Sequence, residues 1–105
     1  MTVSNEPGYY EEGAFGIRIE NICVTVRAHP PCANKSGKNF FAFETVTLVP
    51  LQRKMIDLSQ LTDEEIDWLD RYHALVREKL TPLILERFPE ALNYLNTETQ
   101  PIRGG

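Results

Sequence analysis

The sequence predicts an α+β fold, with antiparallel strands in the first half of the chain and helices in the second. Apolar residues alternate with polar ones from Phe15 onwards, which is the pattern of a strand. A capping pattern at Thr62, followed by apolar residues three and four positions apart, indicates a helix. We therefore expect two parts, residues 1–51 with the strands and residues 52–105 with the helices.

Three strands are expected in the first part. Residues 1–10 form a strand that enters a turn, and the second strand extends from about Phe15 to Arg27. Residues 29–38 are rich in Pro, Gly, Asn and Ser and form the loop of a long hairpin. The third strand, Phe40 to Leu51, is therefore antiparallel to the second.

The apolar alternation changes phase inside the second strand. The apolar residues have odd numbers at first and even numbers later: Phe15, Ile17 and Ile19, then Ile22, Val24 and Val26. A β-bulge near Glu20 and Asn21 would reconcile the two halves. Burial of the strand on both faces beyond residue 21 would explain them equally well.

The second part begins its main helix at Thr62. Thr62 and Glu65 form a capping box, and Pro82 is expected to kink or end the helix. A second helix is expected from Pro89 through Leu95. The predicted packing stripe of the main helix comprises Ile66, Leu69, His73, Val76, Leu80 and Leu83.

Five further features of the sequence allow simple interpretations. Lys54 to Asp57 forms a short strand or an extended connection, and Thr97 to Gly105 is a tail that packs on a partner or frays. Trp68, Tyr72 and Leu75 either extend the helix core or form an exposed partner surface. His73 is expected to pack in the core, and His29 to lie in a surface loop.

Composition excludes several classes of function. The chain has 105 residues and a formal net charge of −4, so it has no electrostatic footprint for nucleic acid. Its N-terminus lacks the features of a signal peptide, and no apolar run approaches the ~18 residues that span a bilayer, so we expect a soluble chain without membrane contact. Cys23 and Cys32 form no C-x-x-C motif and fit the reducing cytoplasm.

Two glutamates near the N-terminus are the strongest candidates for a functional site. Glu6 precedes Pro7, which favours an extended backbone, and Pro7-Gly8 suits the centre of a type II turn. Glu20 shares one strand face with Arg18. Such carboxylates can bind divalent ions, and an adjacent arginine can orient them.

These segments resemble a known enzyme family. Ser4-Asn5-Glu6-Pro7-Gly8-Tyr9-Tyr10, followed by Gly16-Ile17-Arg18-Ile19-Glu20-Asn21, is similar to the end of a pita-bread metallopeptidase catalytic domain. The likeness is to Xaa-Pro aminopeptidase, also called aminopeptidase P. Three later segments resemble the C-terminal extension of the eukaryotic-type cytosolic enzyme. They are Thr47-Leu48-Val49-Pro50, Lys54-Met55-Ile56-Asp57 and Glu98-Thr99-Gln100-Pro101-Ile102.

The resemblance implies a role for each of these residues. Glu6 matches a ligand of one metal that also serves as general base, and Glu20 matches the ligand that bridges both metals. Arg18 matches the arginine beside it, outside the coordination sphere. The family binds two ions, usually Mn2+ with Zn2+ or Co2+ possible, and cleaves Xaa-Pro peptides before proline. The family is also homodimeric. Tyr9 and Tyr10 could line the substrate cleft, but aromatic residues after a turn usually pack, so we interpret them as packing residues.

The other ligands of the family, two Asp and one His, have no match here. The resemblance therefore implies a C-terminal part that is inactive without the upstream part of the same polypeptide. One alternative is a stand-alone, non-catalytic dimerisation or binding module. Another pita-bread enzyme, such as a prolidase or a creatinase-like protein, shares both glutamates but fits the residues after Val46 less well.

Overall fold

The computed structural model describes residues 1–28 and 40–102, and the chain divides into two compact units, Met1–Thr47 and Leu48–Gly105. The described part of the first unit is built of strands and that of the second of helices, so the predicted α+β class is confirmed. The predicted loop over residues 29–38, with His29 and Cys32, lies outside the described residues. The strands are β1 Thr2–Asn5, β2 Gly8–Glu11, β3 Phe15–Arg18, β4 Asn21–Arg27 and β5 Phe41–Thr45.

The strand pairs among the described residues of the first unit are antiparallel. One sheet has the order β1-β4-β5, and β2 pairs with β3 in a second ladder. The antiparallel third strand is confirmed, but it ends at Thr45 instead of Leu51. Beyond Thr45 the hydroxyl of Thr47 accepts the N–H of Ile22 at 2.8 Å. A side chain thus replaces the backbone acceptor that a longer strand would have supplied.

The predicted second strand is two strands, β3 and β4, separated by residues 19–20. Asn5 lies opposite Asn21, and Gly8 lies opposite Arg18. Between these pairs, two residues on one strand (6 and 7) face two residues on the other (19 and 20). No extra residue is inserted, and the predicted β-bulge is wrong. The alternative of burial on both faces is also wrong at Ile22, which is 44% exposed.

Pro7 explains the interruption of the ladder. The N–H of Ile19 donates to the carbonyl of Pro7 at 3.1 Å, but Pro7 has no N–H to return the bond. Gly8 has no positive φ and begins β2, so the predicted type II turn at Pro7-Gly8 is wrong. The chain reverses instead at Gly13, whose φ of 75° is the left-handed conformation that glycine adopts without steric cost.

The second unit is organised around the long helix α1, Asp63–Arg87. The predicted capping box is present, since Thr62 accepts the N–H of Glu65 and Glu65 accepts the N–H of Thr62. Pro82 does not end the helix, which continues to Arg87. The second predicted helix consists of a 3-10 turn, Pro89–Ala91, followed by α2, Leu92–Glu98.

The core of the second unit lies between α1 and α2. Tyr72, Val76 and Leu95 form a buried cluster against which Leu48, Leu51, Leu80 and Ile84 pack. The predicted stripe is confirmed at its centre, where Leu69, His73 and Val76 are buried, but is wrong at Leu83, which is 56% exposed. Tyr72 belongs to the core, whereas Trp68 is half exposed.

The connection from Lys54 to Asp57 is a 3-10 turn followed by an extended stretch at Ile56 and Asp57, so the extended alternative is confirmed in its second half. Lys54 lies in a 3-10 turn, Arg53–Met55, and a second such turn follows at Leu58–Gln60, so no short strand forms. The predicted tail does not fray as far as Ile102, which is 6% exposed. The N–H of Ile102 donates to Oδ1 of Asp70 at 2.7 Å, so α1 itself holds this segment.

Candidate functional site

The strand register brings Glu6 and Glu20 opposite each other. Asn5 pairs with Asn21, Gly8 pairs with Arg18, and the bond from Ile19 to Pro7 fixes the pairing between them. The two residues left over, Glu6 and Glu20, are therefore cross-strand neighbours. The sequence motifs alone did not establish this register.

The pairing also places the backbones of the two glutamates close together. Pro7 and Ile19 form a hydrogen-bonded pair, so the next pair, Glu6 and Glu20, is of the non-hydrogen-bonded kind. Such pairs have the shorter Cα separation, about 4.5 Å, and side chains that face each other. Both glutamates are exposed. Both side chains therefore lie on one exposed face of the ladder, and carboxylates on one face can share a divalent cation.

Arg18, at the end of the hairpin that β2 and β3 form, lies on the same face as the two glutamates. Because side chains alternate along a strand, Arg18 and Glu20 share a face, and Gly8 stands opposite Arg18 across the ladder. A hydrogen bond from Arg18 to the hydroxyl of Tyr10 is the main cause that raises the pKa of Arg18. The charges of Glu6 and Glu20 raise this pKa further, so both carboxylates act on the guanidinium.

Tyr10 also belongs to this face, although it was not predicted to be a site residue. Its hydroxyl accepts a hydrogen bond from Nε of Arg18 at 2.8 Å, and Cζ of Arg18 lies 5.7 Å from the centre of its ring. The available signal was the spacing of Gly8, Tyr10, Gly16 and Arg18, which the hairpin places on one face. Tyr9 points to the opposite face, where its ring lies 6.0 Å from that of Phe15.

The oxygen ligands on this face suit divalent ions but are few. Carboxylates are the oxygen donors that Mn2+ and similar ions accept. Within residues 1–28 and 40–102, no group of three or more His, Cys, Asp or Glu is placed to hold a metal ion. The two facing glutamates thus fit part of a metal centre and leave the remaining ligands to other groups.

Within the described residues, the histidine His73 does not belong to a metal-binding group. His73 is 1% exposed and belongs to the second unit, where its Nε2 accepts the N–H of Leu51 at 3.0 Å. Its predicted core position is confirmed.

In the described part of the chain, no helix is both long and apolar enough to cross a membrane.

Comparison with known proteins assigns the chain to a family. Residues 39–102 match the C-terminal region of peptidase M24. The chain belongs to the peptidase M24 family. A probable Xaa-Pro aminopeptidase P of Coprinopsis cinerea is 49% identical to this M24 chain over 102 residues, which are 97% of the chain and 16% of the relative. Aminopeptidase P2 of Arabidopsis thaliana is 53% identical over 85 residues, which are 80% of the chain and 12% of the relative.

A solved structure gives the same result for the fold. The X-prolyl aminopeptidase from Caenorhabditis elegans, a cytosolic enzyme with a di-nuclear active site, matches 96% of this M24 chain with a TM-score of 0.86 and 37% identity. The chain covers 16% of that protein. The resemblance to the C-terminal part of Xaa-Pro aminopeptidases is therefore confirmed, and the chain spans about a sixth of the relatives' length.

Proposed function

We propose that this chain supplies two of the five metal ligands of a two-metal Xaa-Pro aminopeptidase, which removes an N-terminal residue that precedes proline. The observation that supports this proposal is the register that sets Glu6 opposite Glu20 on the face shared with Arg18. The neighbouring enzyme from Caenorhabditis elegans, with its di-nuclear active site, supports the same class of chemistry.

Each residue of the face has a proposed role. Glu20 would serve as a ligand shared by both ions, and Glu6 would serve as a ligand of one ion and as the proton acceptor for the attacking water. Arg18 orients the carboxylates and balances their charge. The two divalent ions, Mn2+ or alternatively Zn2+ or Co2+, would supply Lewis acidity toward the substrate carbonyl. The preferred substrates are Xaa-Pro peptides longer than the dipeptides on which a prolidase acts.

The activity is proposed for a protein in which this chain is joined to the remaining ligands. Two carboxylates leave most of a coordination sphere to water, so we expect no catalysis from these 105 residues alone. The proposed partners are an upstream part of the same polypeptide and a second copy in a homodimer. The proposed location is the cytoplasm, as for the Caenorhabditis elegans enzyme.

A chimera tests the ligand roles directly. This chain replaces the corresponding 16% of the Caenorhabditis elegans enzyme, and Mn2+-dependent release of the residue before proline is measured. We expect activity in the chimera and a loss of at least ~100-fold after Glu6→Gln or Glu20→Gln. Glu12→Gln, an exposed carboxylate in the hairpin turn, is the matched control and should leave the rate unchanged.

A second candidate is a non-catalytic dimerisation or binding module. Its support is the large exposed apolar area of the second unit, with Leu83 56%, Phe88 60% and Tyr94 66% exposed. An inactive but folded chimera, together with dimers of the chain in analytical ultracentrifugation, would favour this candidate over the peptidase.

A further inference from the structure

Two threonines, Thr45 at the end of β5 and Thr47 just beyond it, contact the first residues of β4 and are called the threonine clasp below. The hydroxyl of Thr47 accepts the N–H of Ile22 at 2.8 Å, and the hydroxyl of Thr45 accepts a hydrogen bond from the side-chain amide of Asn21 at 3.2 Å. The carbonyl of Ile22 accepts the N–H of Val46 at 2.7 Å. Hydroxyl groups thus continue the pairing of β4 where its ladder with β5 has ended.

The hydrogen bonds of the threonine clasp depend on one another. The hydroxyl of Thr45 donates to the carbonyl of Thr47 at 3.4 Å, which leaves its oxygen as the acceptor for Asn21. Thr45, Thr47 and Asn21 are all half-buried. Because a donor that is shielded from water is costly to leave without an acceptor, these bonds favour one position for the start of β4.

Glu20 directly precedes the residues that the threonine clasp holds. On its other side, β4 begins with Asn21 opposite Asn5 of β1. Side chains alternate along an extended strand, so the side chain of Asn21 points to the face opposite to that of Glu20. Glu20 lies between this start of β4 and the hydrogen bond from Ile19 to Pro7. The threonine clasp therefore constrains the backbone of Glu20 and leaves the face of its carboxylate open.

We infer that Thr47, together with Thr45, is a positioning residue that holds Glu20 opposite Glu6, so that both carboxylates can bind the same divalent ion. This inference rests on the proposed function, because it takes the two glutamates as metal ligands. Both threonines belong to residues 39–102, which match the C-terminal region of peptidase M24. The threonine clasp thus connects this region to a site whose candidate ligands precede it in the chain.

Nuclear magnetic resonance of the 105-residue chain tests the inference with Mn2+ as the probe. Two readouts are measured: solvent exchange of the Ile22 amide, and paramagnetic broadening of the Glu6 and Glu20 amide signals during Mn2+ titration. Thr47→Val keeps the branched shape and removes the hydroxyl, whereas Thr47→Ser keeps the hydroxyl. Thr25→Val, which changes a half-buried threonine in the middle of β4, is the matched control.

In Thr47→Val we expect faster exchange of the Ile22 amide and about a 10-fold higher Mn2+ concentration for half-maximal broadening, the lower end of the effect of removing a group that orients a metal ligand. Thr47→Ser should match the unaltered chain in both readouts, because a hydroxyl again accepts the N–H of Ile22. Thr25→Val should change neither readout. A general loosening of the sheet would instead affect both Thr→Val variants alike.

The outcomes separate the positioning role from the ligand role. If Thr47→Val needs the same Mn2+ concentration as the unaltered chain, the positioning role is wrong while the ligand role stands. If Mn2+ causes no selective broadening at Glu6 and Glu20 in the unaltered chain, the ligand role fails and the inference fails with it.

Cross-strand contacts between β1 and β4 show whether each variant keeps its sheet. If Thr47→Val loses these contacts, Thr45→Val replaces it, since this change leaves the bond between Thr47 and Ile22 in place. Thr45→Val should also raise the Mn2+ concentration for half-maximal broadening. An unchanged concentration in a folded Thr45→Val chain would overturn the inference.

Discussion

At the scale of single residues, His73 is a buried base that the fold holds neutral. Its Nε2 accepts the N–H of Leu51, so the ring proton is on Nδ1, for which the structure shows no partner. Burial is the main cause that lowers the pKa of His73, and Arg77 lowers it further, while Asp70 and Glu98 oppose the shift. Protonation would turn Nε2 from an acceptor into a donor facing another donor.

This arrangement predicts acid sensitivity of the second unit. The pKa of His73 is lower in the folded state than its ordinary 6.5, so the unfolded chain binds the proton more tightly. The stabilisation is complete above pH 6.5 and is lost as the pH falls toward the folded-state pKa. Urea unfolding followed between pH 7.5 and pH 5 should show a falling free energy of unfolding.

Two variants show which histidine causes the loss of stability at acidic pH. His73→Gln offers an amide oxygen to the N–H of Leu51 but does not titrate, so the decrease between pH 6.5 and pH 5 should become smaller. His29→Gln changes the other histidine and should leave the decrease intact. An unchanged profile in His73→Gln would contradict this account.

At the scale of elements, the start of α1 depends on a local reciprocal contact. The hydroxyl of Thr62 accepts the N–H of Glu65, and Oε1 of Glu65 accepts the N–H of Thr62 at 2.9 Å. We expect Thr62→Ala to destabilise the second unit by about 1 kcal/mol in urea unfolding, because one helical donor loses its acceptor. Thr97→Ala, an exposed threonine in α2, is the control, and an equal effect there would contradict the capping role.

The turn between β2 and β3 gives a second prediction for an element. Gly13 has a φ of 75° and nothing within 4 Å of an added Cβ, so its backbone conformation is the only obstacle to a side chain. Gly13→Ala should destabilise the hairpin by about 1 kcal/mol, measured by hydrogen exchange of β2 and β3 amides. Gly13→Asn should cost less, since asparagine tolerates this conformation, and the reverse order would argue against the explanation.

Local contacts of this kind are what the sequence could predict. The capping box spans residues 62–65, and the antiparallel pairing of β4 with β5 follows from a loop between two strands. The passage of α1 through Pro82 could not be predicted, because it is accompanied by the packing of Leu80 and Ile84, on either side of Pro82, against the buried cluster of the second unit. Propensity describes the isolated helix, whereas this packing is tertiary.

The candidate site also combines features that the sequence predicts with features that only the folded chain shows. The motifs identified Glu6, Glu20 and Arg18, but the break opposite Pro7 and the missing bulge depend on a register that is only visible in the folded hairpin. Tyr10 was interpreted as a packing residue because a tyrosine after a turn usually packs. Its contact with Arg18 requires glycines on both strands, and that pairing is again a matter of register.

At the scale of the whole molecule, buried side chains are concentrated in the second unit. Seven of the buried residues are Leu69, Tyr72, His73, Val76, Leu95, Thr99 and Ile102, all beyond Thr47. Cys23 is the buried side chain of the first unit within its described residues. The strands of the first unit are therefore held mainly by their ladders and have little core of their own.

Exposed apolar residues on these strands predict that the chain self-associates or is only marginally stable. Phe15, Phe41 and Phe43 are 57%, 65% and 68% exposed, and β5 is an edge strand of its sheet with one side unpaired by described strands. Sedimentation velocity at micromolar concentrations should show a mass above 12.0 kDa that increases with concentration, or the strands should exchange their amides faster than α1. Phe43→Lys on β5 should reduce association, while Lys79→Ala on the exposed face of α1 should not. A monomer that melts in one cooperative transition would contradict the prediction and would show that the ladders alone suffice to hold the first unit.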